Sequence, residues 1–224
     1  TIIKSKIIDI SNNSKLIGIY DFSDKSLSPR EENLLSKKIK KNIDKYDVII
    51  VSDYGHSFIS QKIANFLSTK KNVIVNTQLN SGNLGYHTIG KYKKANWTII
   101  NEAELRHELR DRYGEAKNLM IKLSKKLKIK NLIVTCGKNG AYYYNSKSKK
   151  FIYCPAFAKN IVDKIGSGDS FMAIFSIMNK CFPKNINLSL FLSSLATTQV
   201  LEGFGNEKQI KLENLLKATK YILK

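Results

Sequence analysis

The chain has 224 residues, 42% of them hydrophobic and 25% charged, which excludes general disorder and leaves room for one good-sized domain. No run approaches the roughly 18 apolar residues of a membrane-crossing helix, so a helical membrane protein is excluded as well. Thirty-eight basic against eighteen acidic residues give a net charge of +20, which by itself points toward anionic partners.

The chain opens at Thr1 with no Met, basic segment or signal-like apolar stretch, the start expected of a trimmed chain or a fragment. Residues 1–20 alternate β-branched and polar side chains around Ser11, Asn12, Asn13 and Ser14, which predicts a hairpin. Residues 29–43 read as a helix with Ser28 as N-cap and Pro29 in its first turn. The short apolar run 47–51 ends in Ser52, Asp53, Tyr54 and Gly55, a buried parallel strand leading into a loop. The alternation then repeats. A helix over 59–70 precedes a strand at 72–76, and a helix at 87–92 precedes a strand at 97–100. Helices at 102–112 and 114–128 lead to a strand at 132–135, and segments 142–144 and 151–153 predict an antiparallel pair. Helices at 169–179, 188–202 and 210–223 close the chain. Strands alternating with helices imply a layered α/β fold with a mostly parallel sheet, whose ligands bind beyond the carboxyl ends of the strands. The loops 52–55, 77–85, 101–104 and 136–140 fall at that end.

Only four basic residues are arginine (Arg30, Arg106, Arg110 and Arg112), the usual bidentate reader of phosphates and bases. The lysines are scattered along the chain. This favours a solvated lysine surface, then anionic small substrates, over a nucleic-acid track. Cys136, Cys154 and Cys181 form no CxxC pair and predict buried thiols in a reducing cytoplasm. His56, His87 and His107 share no metal-ligand spacing.

The strongest chemical signal is the segment Asp163, Lys164, Ile165, Gly166, Ser167, Gly168, Asp169, followed by an apolar helical run. Glycines before a helix let backbone N–H groups approach an anion at the positive helix end. A carboxylate there would repel a plain phosphate. It makes sense if Asp169 takes a proton from an attacking hydroxyl while the N–H groups of Gly166, Ser167 and Gly168 hold the phosphoryl group in transit. The alternative is a glycine-rich loop with Asp169 as a helix cap. Asn101 and Glu104, after an apolar strand, suit either water-mediated Mg²⁺ binding or a capping box.

The 163–169 segment resembles the Asp-Thr-x-Gly-Ala-Gly-Asp signature of the ribokinase (PfkB) family of sugar kinases. Asn101, Glu102, Ala103 and Glu104 are similar to that family's Asn-x-x-Glu motif. The run 134–141, with Thr135, Gly137 and Gly140, resembles its nucleotide-binding strand and turn, and Gly203, Phe204, Gly205 and Asn206 stand where the family has a Gly-Thr loop. Ile165, Ser167 and Asn206 depart from the pattern. Within the family, 51–55, 76–86 and 100–106 look like the heptose 7-phosphate kinase half of the bifunctional ADP-heptose synthase type.

The resemblance implies a ribokinase-like three-layer α/β/α sandwich: a single domain over 1–224, with a lid-like hairpin at 1–21 and an α/β core at 22–224. It also implies that a preceding N-terminal portion, with much of the sugar-binding surface, is missing. ATP and Mg²⁺ are the implied cofactors. Asn101 and Glu104 would manage the metal, while Thr135, Gly137, Gly140, Ala196, Gly205 and Asn206 would surround the nucleotide. Asp53, Gly55, Asn80 and Asn83 are candidate sugar contacts, although turn chemistry explains the same residues. The expected partners are a sugar phosphate, a second copy of the chain and a fused nucleotidyltransferase domain, with neither nucleic acid nor membrane, in the cytoplasm. Three rivals stay open: a different acceptor, a non-catalytic nucleotide-binding module, and a nucleic-acid binder with steep salt dependence.

Overall fold

The computed structural model describes residues 3–11, 14–21, 25–80, 82–203 and 209–223. Strands β1 (Ile3–Asp9) and β2 (Ser14–Asp21) pair antiparallel, with Ile7 opposite Ile17. Both of these side chains are about half exposed, so the hairpin buries no core of its own.

Helix α1 (Pro29–Asn42) starts as its sequence dictates: Ser28 Oγ accepts from the Glu31 N–H, and the Glu31 carboxylate accepts from the Ser28 N–H at 2.8 Å. The main sheet then builds in chain order, β3 (Ile49–Asp53), β4 (Val73–Thr77), β5 (Trp97–Asn101), β6 (Asn131–Thr135), β7 (Ala141–Asn145) and β8 (Lys150–Cys154). The first four strands are parallel and the last two antiparallel. Helices α2 (Gln61–Ser68), α3 (Glu102–Leu109) and α4 (Ala116–Leu127) join the parallel strands. Alternate strand residues divide between two cores. Val51, Val75, Ile100, Leu132 and Val134 pack with Ile63, Leu105 and Leu123 of the connecting helices. Ile74, Ile99, Ile133 and Tyr143 face helix α5 (Ser167–Cys181) and helix α6 (Ile186–Leu201), where Phe175 is fully buried. Helix α7 (Leu212–Ile222) adds Leu215 against Leu195 and Ala196.

This is the layered α/β architecture that the alternation predicts. Two local expectations need correction. Residues 87–92 hold one 3₁₀ turn, Ile89–Lys91, because Thr88 caps Gly90 and the fully buried Tyr92 leaves the helical path to reach Asp53. The three thiols are not all buried: Cys154 is, Cys136 is half-buried, and Cys181 is exposed at the end of α5. No helix among the described residues is long and apolar enough to cross a membrane.

Candidate active site

Gly166 caps α5 with φ +78°, a left-handed conformation that glycine adopts without strain, and this aims the first helical turn at the ends of the strands. Helix geometry leaves the first N–H groups without intrahelical acceptors. Ser167 is tied to its own loop, since its N–H and its hydroxyl both donate to the Lys164 carbonyl, at 3.3 and 2.8 Å. That leaves Gly168 to present a donor from this turn. The Asp169 carboxylate reaches across the cleft to the β3 and β4 loops. Gln78 Nε2 donates to its Oδ1 at 2.6 Å, and the Tyr54 hydroxyl stands 3.5 Å from its Oδ2.

Asn101 and Glu104 lie beside this carboxylate. They form a complete capping box at the start of α3: Asn101 Oδ1 accepts from the Glu104 N–H, and Glu104 Oε2 accepts from the Asn101 N–H, both at 2.8 Å. Glu104 Oε1 also accepts from the Leu79 N–H at 3.3 Å. Burial, reinforced by the charge of Asp169, pushes the Glu104 carboxyl up to about 7 despite those N–H groups.

A cavity of about 680 Å³ gathers these elements. Asn101, Glu104, Thr135, Gly137, Gly140, Gly166, Ser167, Gly168 and Asp169 all line it, so three loops far apart in sequence meet at one place. Phe157, Ile161 and Leu201 supply an apolar wall, with Ser194, Thr197 and Thr198 as polar neighbours, and Lys138 and Lys164 bring positive charge. The volume and the mixed wall fit a nucleotide-sized ligand. Cys136 also lines this cavity; burial, then the nearby Glu102, pushes its thiol up to about 12, which leaves it protonated and unreactive.

The expected sugar contacts are placed differently. Asp53 is buried and its oxygens are taken: Lys91 Nζ at 2.9 Å, the Tyr92 hydroxyl at 2.7 Å and the Gly55 N–H at 3.0 Å all donate to it. Burial works to raise its pKa, but these hydrogen bonds and the Lys91 charge outweigh burial and hold it below the ordinary carboxylate range. Asn80 and Asn83 spend their side chains on the loop itself. Asn80 Oδ1 accepts from the Gly82 and Asn83 N–H groups, and the buried Asn83 donates to the carbonyls of Tyr54 and Gln78 at 2.8 and 2.6 Å. The reason is geometric. A loop that crosses buried strand ends must satisfy its own backbone groups. Of the four, Gly55 lines a second cavity of about 860 Å³, shared with Gln61, Tyr86 and Lys91.

Residues 59–177 match the family described as pfkB family carbohydrate kinase. The chain belongs to that family. It is 27% identical over 203 residues to an uncharacterized sugar kinase of Buchnera aphidicola, covering 86% of this chain and 62% of that protein. It is 26% identical over 183 residues to the bifunctional protein HldE of Campylobacter curvus, covering 78% of this chain and 37% of that protein. The chain therefore spans less than two thirds of the curated relatives it matches. Phosphofructokinase-2 of Escherichia coli superposes with a TM-score of 0.77 at 12% identity, over 99% of this chain and 71% of that one. The fold is thus that of the ribokinase-like kinases.

Two nucleotide-side expectations of this pfkB chain remain to be placed. Ala196 does not face the cavity: it is fully buried beside Leu195 and Leu215, and helical periodicity gives the wall to Thr197, Thr198 and Leu201. Gly205 and Asn206 lie outside the described residues. Gln78 and Tyr54, which touch Asp169, were legible only as polar residues just past apolar strands, a signal that many turns share.

Proposed function

We propose that this chain carries the nucleotide half-site of an ATP-dependent sugar kinase that phosphorylates the anomeric hydroxyl of a heptose 7-phosphate, a step toward nucleotide-activated heptose for surface polysaccharide. The observation that carries the reading is the placement of Asp169, at the start of α5, in one cavity with the 135–140 turn and Glu104. Asp169 takes the hydroxyl proton as the sugar oxygen bonds to the γ-phosphorus and the bond to the β-phosphate oxygen breaks, releasing ADP. The Gly168 N–H group and the positive end of α5 stabilise the charge that builds on the transferring group. Lys138 and Lys164 add positive charge to the cavity wall.

Mg²⁺, held through water by Asn101 and Glu104, would supply charge neutralisation. The residues present fit it through water rather than directly. Both Glu104 oxygens already accept backbone N–H groups, and no group of three or more His, Cys, Asp or Glu among the described residues is placed to hold a metal. A cation nearby would offset the effect of burial on Glu104 and favour its charged form.

The heptose acceptor is supported by the loops 51–55, 76–86 and 100–106 and by the likeness to the bifunctional protein HldE. The single-domain reading of 1–224, the hairpin of β1 and β2 as a lid, cytoplasmic location, a homodimer and a fused nucleotidyltransferase domain belong to the same reading. The test is a phosphoryl-transfer assay of the full-length protein with Mg²⁺-ATP across heptose 7-phosphates, other sugar phosphates and nucleosides. Transfer to heptose 7-phosphate is expected. Transfer to another acceptor alone would keep the kinase and discard the heptose.

A further inference from the structure

We infer that Gln78 is the positioning residue of the base, orienting the Asp169 carboxylate through the 2.6 Å hydrogen bond from its side-chain amide to Oδ1. The inference rests on Asp169 being the base, as proposed above. Three contacts fix Gln78 with unusual completeness for a loop residue. Its N–H donates to the Asp53 carbonyl at 3.1 Å, extending the β3–β4 ladder by one bond. Its carbonyl accepts from Asn83 Nδ2 at 2.6 Å, and its side chain crosses to α5. Asn83 is 2% exposed and also holds the Tyr54 carbonyl at 2.8 Å. One buried amide thus secures the backbones of the two residues that face the two oxygens of Asp169.

The chemistry of the donor suits the task. A carboxylate on a helix's first turn turns freely about two side-chain bonds, and proton transfer requires one orientation. A lysine or arginine at position 78 would fix the orientation too, but a cation there lowers a carboxylate's pKa by roughly 1–3 units and weakens it as a base. A neutral amide fixes the rotamer and leaves most of the basicity. Among the described residues, the titratable groups near Asp169 include Tyr54 from the β3 loop and Glu104 from α3, with Lys138 and Lys164 on the same cavity wall.

The experiment titrates the Asp169 carboxyl of the full-length, metal-free protein by carbon NMR, its resonance assigned by loss in Asp169→Asn. Gln78→Met keeps the shape and removes the donor, and Gln78→Ala serves as a second variant should the first fail to fold. The midpoint is expected to rise in the variant, because the lost donor favours the charged form. Under the transfer assay, kcat is expected to fall roughly tenfold with the KM for ATP unchanged. An unmoved midpoint, or an unchanged kcat, overturns the inference. Full turnover in Asp169→Asn overturns both the base and its positioning. Abolished turnover in Asp169→Asn beside normal turnover in Gln78→Met overturns the positioning alone.

Discussion

Asp53 and Asp169 are near neighbours at the carboxyl ends of the strands, linked through Gln78, whose backbone N–H binds the Asp53 carbonyl and whose side chain binds the Asp169 carboxylate. Asp53 is almost fully buried, and a lysine, a phenol and a backbone N–H hold it charged. Asp169 is half-buried on the wall of a cavity, held by a neutral amide beside a phenol. A carboxylate buried among donors of the fold is part of the scaffold, and one lining a cavity is placed for chemistry. Residue type does not distinguish the two; the partners do.

Substituting each member separates the two roles. Asp169→Asn is expected to lower turnover by about 10²–10⁴-fold while the thermal midpoint holds, and turnover at the original rate would remove it from the chemistry. Asp53→Ala leaves the partly buried Lys91 charge uncompensated and should destabilise the fold by about 3 kcal/mol in denaturant titration. A loss no larger than that of a surface substitution would break the contrast. Gly55→Ala probes the same scaffold more gently. Gly55 has φ +73°, and a Cβ there would stand 2.5 Å from the His87 ring, so a loss of about 1–3 kcal/mol is expected.

The smallest effect concerns Glu104. Its folded-state pKa lies above the ordinary 4.5, so its contribution to stability is complete below that value and is lost as the pH rises through about 7. His87 runs the other way: burial lowers its pKa, so its contribution fades as the pH falls below 6.5. Comparison of wild type with Glu104→Gln therefore isolates Glu104. The decline in thermal midpoint from pH 4.5 to 7 should be shallower in the variant, and parallel curves would reject a shifted carboxyl.

The layered fold was legible because its causes are local. Buried parallel strands read as apolar runs, Ser28 with Glu31 spells a helix start, and the glycines around Ser167 mark a backbone that must turn sharply. The meeting of Asn101, Thr135, Gly140 and Asp169 in one cavity was foreshadowed by the order of motifs, since all lie at one end of the strands. What stayed hidden depends on which neighbour each side chain meets. Asp53, Asn80 and Asn83 have the polar character of ligand contacts, yet their partners are the loops themselves. Ala196 is one helical position from the cavity wall, a difference that periodicity resolves only once the helix is docked. Gln78 bore no mark beyond polarity.

The sheet has one further property, its strictly sequential order from β3 to β8. During synthesis each strand needs only the next to emerge before it can pair, so the sheet can lengthen at the pace of the ribosome, with little waiting for distant segments. The loops that receive Asp169, at Tyr54 and Gln78, are synthesised well before α5. The proposed base is thus delivered after the strands of its socket.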